Sequence, residues 1–474
     1  MIKTKIVATV GPACADAGTI DAMIESGVDV FRLNFSHGDT DQHKNFLQLL
    51  NSVSSRRLRL TAVMGDLCGP KIRTASVVPA DLLLKAGDEI AIVSGTEKAG
   101  TRQFSTNYQY FVQDILVGQR VFIDDGQIEL NVIGKDKERL LCRVVVGGHL
   151  SSQKGINLPD TEITIPSITD NDWRWVDWAI ANDLDFLALS FVRTADEINQ
   201  LKQHIREAGS SIKVVAKIEK PQALSHLEQI IQASDAVLVA RGDLGVEMDV
   251  AEVPLIQKKI THLCRRFGKP VIVATQMLQS MINNPAATRA EVSDVANAIM
   301  DTTDAVMLSG ETAIGKYPLQ AVKTICRIAA VTEAYLEQQS WIRPKAATVE
   351  ELAWTAAIAR SVAQIADDID VKLVVVWSQT GSSATLLSKA RIDTPVVALS
   401  CDRKICRQMS LHYGVIPFCL PLPQNVTQFT KVVEKLVVDY GLAKPGDKLI
   451  LVAGEPVVSE GTKNVVMAHI ISAH

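Results

Sequence analysis

Short apolar runs rich in Val, Ile, Leu and Ala recur along the chain, and each stops at polar residues or glycine. In order they are KIVATVGPA (5–13), DVFRLNFSH (29–37), LTAVMGDL (60–67), FLALSFVR (186–193), KVVAKIEK (213–220), AVLVARGD (236–243), PVIVATQM (270–277) and AVMLSGET (305–312). Most are followed by stretches of helical period, such as ADEINQLKQHIREAG and PLIQKKITHLCRRFG. Buried strands alternating with helices indicate parallel βα units. Eight such units predict a (β/α)8 barrel, whose site lies at the C-terminal strand ends. The polar residues sit at those ends.

The recurrence breaks once. Residues 74–166 show alternating apolar patterns, turns such as DDGQ and VGGH, and no long helical period, which predicts a β-rich inserted domain. The barrel is then 1–73 and 167–345. From 346 to 474 a separate α/β domain follows, with TVEELAWTAAIARSVAQIA as helix and KLVVVWS, TPVVALS and GDKLILVAG as strands.

Composition narrows the picture. The 474 residues, 47% hydrophobic and 22% charged, suit two or three globular domains with large cores. A net charge of −4 argues against nucleic acid or an anionic membrane as partner. The eight cysteines include no CxxC pair and read as reduced thiols of a cytoplasmic protein. MIKTKIVATVGPA is too short in its apolar part for a signal peptide, and no run is long enough to cross a bilayer.

Within this frame, VVAKIEKPQAL poses a question. Lys217 and Glu219 fall at i and i+2, on one face of a buried strand. Such residues are rarely buried without partners. Arg241 and Asp243 in VARGDLG repeat the pattern, and Gly242 between them lets a ligand approach the backbone closely. Amides entering the next helix suit a carboxylate or phosphate. Glu219 and Asp243, with substrate oxygens, suit Mg²⁺. The competing reading is a structural salt-bridge cluster, Lys217 with Asp243 and Arg241 with Glu219. In FRLNFSHG, Arg32, Asn34 and Ser36 share a face, and Arg offers paired donors to phosphate. In GDLCGPKIR, Asp66, Lys71 and Arg73 surround a Gly-Pro turn, and Asp66 with Asn34 and Ser36 suits a hard cation. Thr275 orients a proton-relay water or caps a helix. Glu311, two residues after Ser309, is a partner of the basic cluster or a helix-start carboxylate.

TKIVATVGPA, FRLNFSHG, GPKIRT, KGINLP, AKIEKP, VARGDLGVE, ATQMLQSM, TRAEVSDVANAI and MLSGETAIGKYP, in this order, resemble pyruvate kinase over nearly the whole chain. The resemblance implies phosphoryl transfer from phosphoenolpyruvate to ADP, giving pyruvate and ATP, the last step of glycolysis, with Mg²⁺ or Mn²⁺. It assigns Lys217 to the transferring phosphoryl group, Glu219 and Asp243 to the metal, and Arg32 to the substrate phosphate. Gly242, Asp243 and Thr275 match the place of the substrate carboxylate. Asn34, Phe35, Ser36, His37 and Arg73 match nucleotide-phosphate contacts, and Asp125 an aspartate of the lid. The inserted part is then a β-barrel lid domain, the C-terminal part a regulatory domain, and the assembly a homotetramer. A metal-dependent aldolase acting on a pyruvate enolate is the rival enzyme reading. A catalytically inactive scaffold is the third reading, and it should lose at least one of Lys217, Glu219 and Asp243, all of which are present.

Two departures stand out. Family members that need K⁺ carry Glu where this chain has Lys71. Members resembling this chain are K⁺-independent, so K⁺ is not required, since a tethered ammonium replaces the free cation. Asn34, Ser36, Asp66 and the Leu67 carbonyl are the K⁺ ligands otherwise. Asn171, in TDND, replaces a lysine thought to contact nucleotide phosphate. In the last domain, SQTGSSA supplies Ser378, Thr380, Ser382 and Ser383 ahead of a helix, which suits a phosphate. The resemblance makes it an effector site for a sugar phosphate or a nucleotide, with a partner loop near AGEPVVSEGTKN; an ordinary capped helix start is the alternative.

Overall fold

The computed structural model describes residues 2–55, 60–95, 100, 102–338, 353–454 and 465–472. The eight apolar runs form eight strands: β1 (Lys5–Thr9), β2 (Val28–Asn34), β3 (Ala62–Asp66), β4 (Phe186–Leu189), β5 (Lys213–Ile218), β6 (Ala236–Ala240), β7 (Val271–Ala274) and β8 (Ala305–Leu308). All pair in parallel, in sequence order, and β8 returns to β1 to close the barrel. Each strand buries both faces. Val7, Val30, Met64, Ala188, Val215, Leu238, Ile272 and Met307 fill the barrel interior. Their neighbours Ile6, Phe31, Val63, Leu187, Val214, Val237, Val273 and Val306 pack under the helices. Burying one such side chain fully contributes roughly 1.5–3 kcal/mol, which is why the runs are apolar throughout rather than alternating.

The helices start where their caps say. Thr194 and Glu197 form a capping box ahead of Ala195–Glu207, whose Ile198, Leu201 and Ile205 face the barrel. Thr169 and Asp172 cap Asp170–Ala181 in the same way.

The insertion has its own core, built around Phe104, Tyr108, Phe111, Ile123, Leu130 and Leu140. Its described strands form a six-stranded sheet and a separate ribbon pairing Gly148–Ser151 with Asp81–Leu84. Among the described residues they do not join into the single closed barrel suggested for this part. The chain passes between barrel and insertion at Arg73, which bridges Gly155.

The C-terminal sheet has the spatial order Val415–Cys419, Val396–Ser400, Leu373–Trp377, Lys448–Ala453 and Val465–Ile470. All its pairs are parallel except the last. The expected boundary at 345/346 lies outside the described residues, as does most of AGEPVVSEGTKN. This domain sits under the N-terminal strand ends. Leu411 enters the barrel interior and joins its inner cluster with no exposed surface. Around it, Arg407 Nε donates to Asp185 at 2.7 Å, and Lys389 and Arg391 converge on the buried Asp304. Among the described residues, no helix is long and apolar enough to cross a membrane.

Candidate active site

The period-two rule that fills the barrel with aliphatic side chains carries on to its C-terminal mouth. Two residues beyond Val7, Val30, Met64, Ala188 and Val215 stand Thr9, Arg32, Asp66, Ser190 and Lys217, on the same inner face. They form a connected belt. Arg32 Nη1 donates to Thr9 Oγ1 at 3.1 Å, and Arg32 Nε to Asp66 Oδ2 at 2.6 Å. Lys217 Nζ stands 3.1 Å from Asp66 Oδ1 and 2.9 Å from Glu219 Oε1, and donates to Ser190 Oγ at 2.7 Å. Ser190 in turn donates to the Leu67 carbonyl at 2.7 Å. The amide of Phe191 donates to Glu219 Oε2 at 2.8 Å.

The charges hold one another. Burial opposes the Lys217 charge, but Asp66 and Glu219 outweigh it and keep the ammonium protonated above the usual lysine range. Burial likewise opposes the Asp66 charge, and Lys217 and Arg32 reverse that, keeping its carboxyl below the usual range. Asp243 has weaker relief, since Lys217 and Lys71 only partly offset its burial. Burial, with the Glu219 carboxylate beside it, pushes it up to about 6. An under-compensated carboxylate pair fits a divalent cation, which would relieve both. Among the described residues no cluster of three or more His, Cys, Asp or Glu is arranged for a metal, so further ligands to such an ion would come from substrate and water.

The second pair, Arg241 and Asp243, is not a strand pair. The strand ends at Ala240 and a two-turn helix, Arg241–Glu247, begins at once. Helical geometry sends the two side chains apart. Arg241 donates to Asp294 at 2.7 Å and to the Thr275 carbonyl at 3.0 Å, away from Glu219. The salt bridges of the competing reading, Lys217 with Asp243 and Arg241 with Glu219, are therefore replaced by other pairs. The Gly242 amide donates to Thr275 Oγ1 at 2.6 Å, so two of the groups expected around a substrate carboxylate are bonded to each other. Thr275 itself is held at a positive φ of 70°.

A second wall rises beside the belt. Ser36, His37, Lys71, Arg73, Asn107 and Asn171 are among the residues lining a cavity of about 570 Å³ between barrel and insertion. Burial, with Lys71, Arg73 and Arg32 nearby, holds the His37 imidazole below its usual pKa. Asn107 ties the crossing, accepting the Arg73 amide at 2.8 Å and donating to the Lys71 carbonyl at 3.1 Å. Asp172 accepts the Cys68 and Gly69 amides at 3.0 and 3.2 Å and so fixes the Gly-Pro turn. Arg73 reaches back to the Gln153 carbonyl at 3.0 Å. The Phe35 ring does not face this cavity. It stacks on Trp175 at 4.3 Å in the core, and only its backbone remains for a ligand.

Asp66 lies beside Asn34 across the β2–β3 register, with its carboxylate turned to the cations. Both its oxygens serve the cations, the Leu67 carbonyl serves Ser190, Asn34 Oδ1 accepts the Ser36 amide, and Ser36 Oγ meets Cys68 Sγ at 3.2 Å. Each candidate K⁺ ligand is thus engaged within the protein. Glu311 accepts the Leu278 and Ser309 amides at 3.0 and 2.8 Å, which makes it a tie between two strand ends rather than a partner of the cations.

The barrel model of pyruvate kinase matches residues 1–322, and the model of its alpha/beta domain matches residues 356–469. The chain belongs to the pyruvate kinase family. A pyruvate kinase of Staphylococcus aureus strain MRSA252 is 39% identical over 474 residues, covering 99% of this chain and 81% of the relative. One from Staphylococcus epidermidis is 38% identical over the same spans. The crystal structure of a pyruvate kinase from Cryptosporidium parvum superposes with a TM-score of 0.92 at 32% identity, over 99% of this chain and 96% of that one. The enzyme is a phosphotransferase that takes phosphoenolpyruvate and ADP to pyruvate and ATP. That sets aside the aldolase reading.

In the last domain, Thr380, Gly381 and Ser382 line a cleft of about 240 Å³ under the barrel, with Lys213, Lys269 and His412 opposite. Thr380 and Ser382 hydroxyls meet at 2.9 Å. Ser378 is buried, and its hydroxyl accepts the Ala384 amide at 3.4 Å, so it serves the turn. Ser383 is half-buried in the first turn of the helix.

Proposed function

We propose that the belt of Arg32, Asp66, Lys217 and Glu219 is the phosphoryl-transfer centre. The observation that carries this reading is the Lys217 ammonium held protonated between Asp66 and Glu219 at 3.1 and 2.9 Å, at the mouth of the barrel. Phosphoryl transfer asks for positioning and charge neutralisation more than covalent chemistry. Arg32 and Lys217 bind the substrate phosphate and spread the charge on its equatorial oxygens as transfer proceeds. Glu219 and Asp243 would hold Mg²⁺ or Mn²⁺, which when bound neutralises phosphate charge and orients substrate oxygens. The substrate carboxylate exchanges with the Gly242–Thr275 bond. Thr275 then orients the water that protonates the enolate. Asn34, Ser36, His37 and Arg73, with the Phe35 backbone, take the nucleotide phosphates, and Asp125 closes over them from the insertion.

Lys71 supplies the positive charge that a K⁺ ion supplies elsewhere in the family, so the enzyme works without K⁺. Its field already reaches Asp243 and His37. The test is pyruvate formation from phosphoenolpyruvate and ADP with Mg²⁺, with K⁺ or tetramethylammonium as the monovalent ion. Equal activity in both supports the reading. Activity with K⁺ alone keeps the transfer centre and removes Lys71 from its role.

A sugar phosphate or nucleotide effector is assigned to Thr380, Ser382 and Ser383, on the strength of the basic cleft that the first two line. Calorimetric titration with and without Thr380→Ala and Ser382→Ala checks it, and no binding leaves a capped helix start. A cytoplasmic homotetramer completes the proposal. Val331 and Tyr335, 66% and 48% exposed on the helix Pro318–Gln338, suit burial by a second subunit. Light scattering on the purified protein measures this directly.

A further inference from the structure

The helix Arg241–Glu247 has two different ends. Gly242 and Asp243 stand in its first turn, facing the site. Val246 and Glu247 stand in its last, facing the insertion. A seven-residue helix is about 10 Å long, so its two ends move together. Glu247 is buried, and its Oε1 accepts both the Lys220 ammonium and, at 2.8 Å, the side-chain amide of Asn157. Lys220 follows Glu219 in sequence and its ammonium lies 5.9 Å from the Phe191 ring, whose own backbone amide holds Glu219.

Asn157 belongs to the insertion. It ends the two-residue strand Ile156–Asn157, which pairs with Phe122 and Ile123. The partner strand, Arg120–Ile123, leads directly to the turn of Asp124, Asp125 and Gly126. The tip of this turn also meets the helix, since a Cβ at Gly126 would lie 3.8 Å from Val246. Asp125 is near enough to the mouth to weigh on Asp243.

We propose that the hydrogen bond from Asn157 to Glu247 is the contact that holds the lid closed, and that both are positioning residues for phosphoryl transfer. This rests on the transfer centre assigned above. A donor facing a carboxylate makes a stronger bond than a neutral pair. With the lid away, Asn157 returns to water and Glu247 keeps Lys220 alone. With the lid down, one short helix carries the position of Asn157 to Asp243 and sets Asp125 over the nucleotide wall.

An exchange of donor and acceptor tests this in the full-length enzyme. Asn157→Asp places a second carboxylate against Glu247 and is expected to lower kcat roughly 10-fold or more. Amide hydrogen exchange across residues 120–127 should quicken. Asn157→Asp combined with Glu247→Gln restores the bond with its direction reversed, and most of kcat returns. A single variant within about twofold of the parent, or a double variant no faster than the slower single, overturns the proposal. Should Asn157→Asp fail to fold, Asn157→Ala decides by the same readouts: lower kcat with faster exchange supports the contact, and unchanged values overturn it. An inactive parent enzyme would instead count against the transfer centre itself.

Discussion

Nζ of Lys217 and Oδ1 of Asp66 stand 3.1 Å apart, on strands separated by β4. The other oxygen of that carboxylate takes Arg32. One anion therefore spaces two cations that would otherwise repel. Asp66→Asn is expected to lower kcat on the order of 100-fold. It should also cost about 3–5 kcal/mol of stability, because a buried charge loses its partner. Steady-state kinetics and a thermal melt measure both. A kcat within about threefold of the parent would mean that Arg32 and Lys217 keep their places without the carboxylate.

Lys71 makes no ion pair among the described residues, yet lines the nucleotide cavity. Lys71→Gln should leave an enzyme that K⁺ stimulates, with activity in tetramethylammonium reduced roughly 10-fold. Assays of the parent and the variant in the two salts, at equal ionic strength, decide it. A variant indifferent to K⁺ would show that the tethered charge is not a cation substitute.

Asn171 is exposed, in the first turn of Asp170–Ala181, and lines the same cavity. Asn171→Lys adds a cation facing the nucleotide wall without touching the capping box of Thr169 and Asp172. KM for ADP should fall about threefold or more, with kcat little changed. Unchanged or weaker ADP binding would count against a phosphate contact at this position.

The interface under the barrel carries a pH dependence. Burial, with Asp304 opposing it and Lys389, Lys5 and Lys213 adding to it, pushes His412 down to about 3. An unfolded histidine titrates near 6.5, so between these values the unfolded chain binds a proton that the folded one refuses. The stability from this group is complete above about pH 6.5 and is lost as pH falls toward 3. His412→Gln, which can still meet Thr385 Oγ1, should flatten the fall in melting temperature between about pH 6.5 and 4.5. A parallel fall in both proteins would exclude His412 as the source.

Much of this was legible in the residues. The parity that fills a strand interior with Val and Met also says which polar residue comes next on that face, and so Arg32, Asp66 and Lys217 could be read one strand at a time. Ser190 obeys the same parity two places after Ala188, but a lone serine carries little signal until Lys217 is seen beside it. Arg241 misled because the strand ends one residue before it, and a helix start is hard to tell from a strand end in VARGD. For Phe35, sequence adjacency to Asn34 and Ser36 says nothing about its ring, which turns the other way to meet Trp175 and leaves only the backbone toward the cavity. The pairings of Asn107 with Arg73, Asp172 with Cys68, and Asn157 with Glu247 join distant segments, and no local period announces them.

Leu411 gives the chain a different grammar from its three-part outline. The insertion has its own apolar core, and its ties to the barrel lie at two chain crossings and at the Asn157–Glu247 bond, so it can be exchanged between homologues together with Glu247. The last domain cannot. Removing it would leave an open socket in the barrel floor and strand Asp185 and Asp304 without their cations. Leu411→Ala alone should cost about 2–5 kcal/mol. A chimaera built at the third domain therefore has to carry matched residues across that whole floor, whereas one built at the second has to match Asn157 with Glu247.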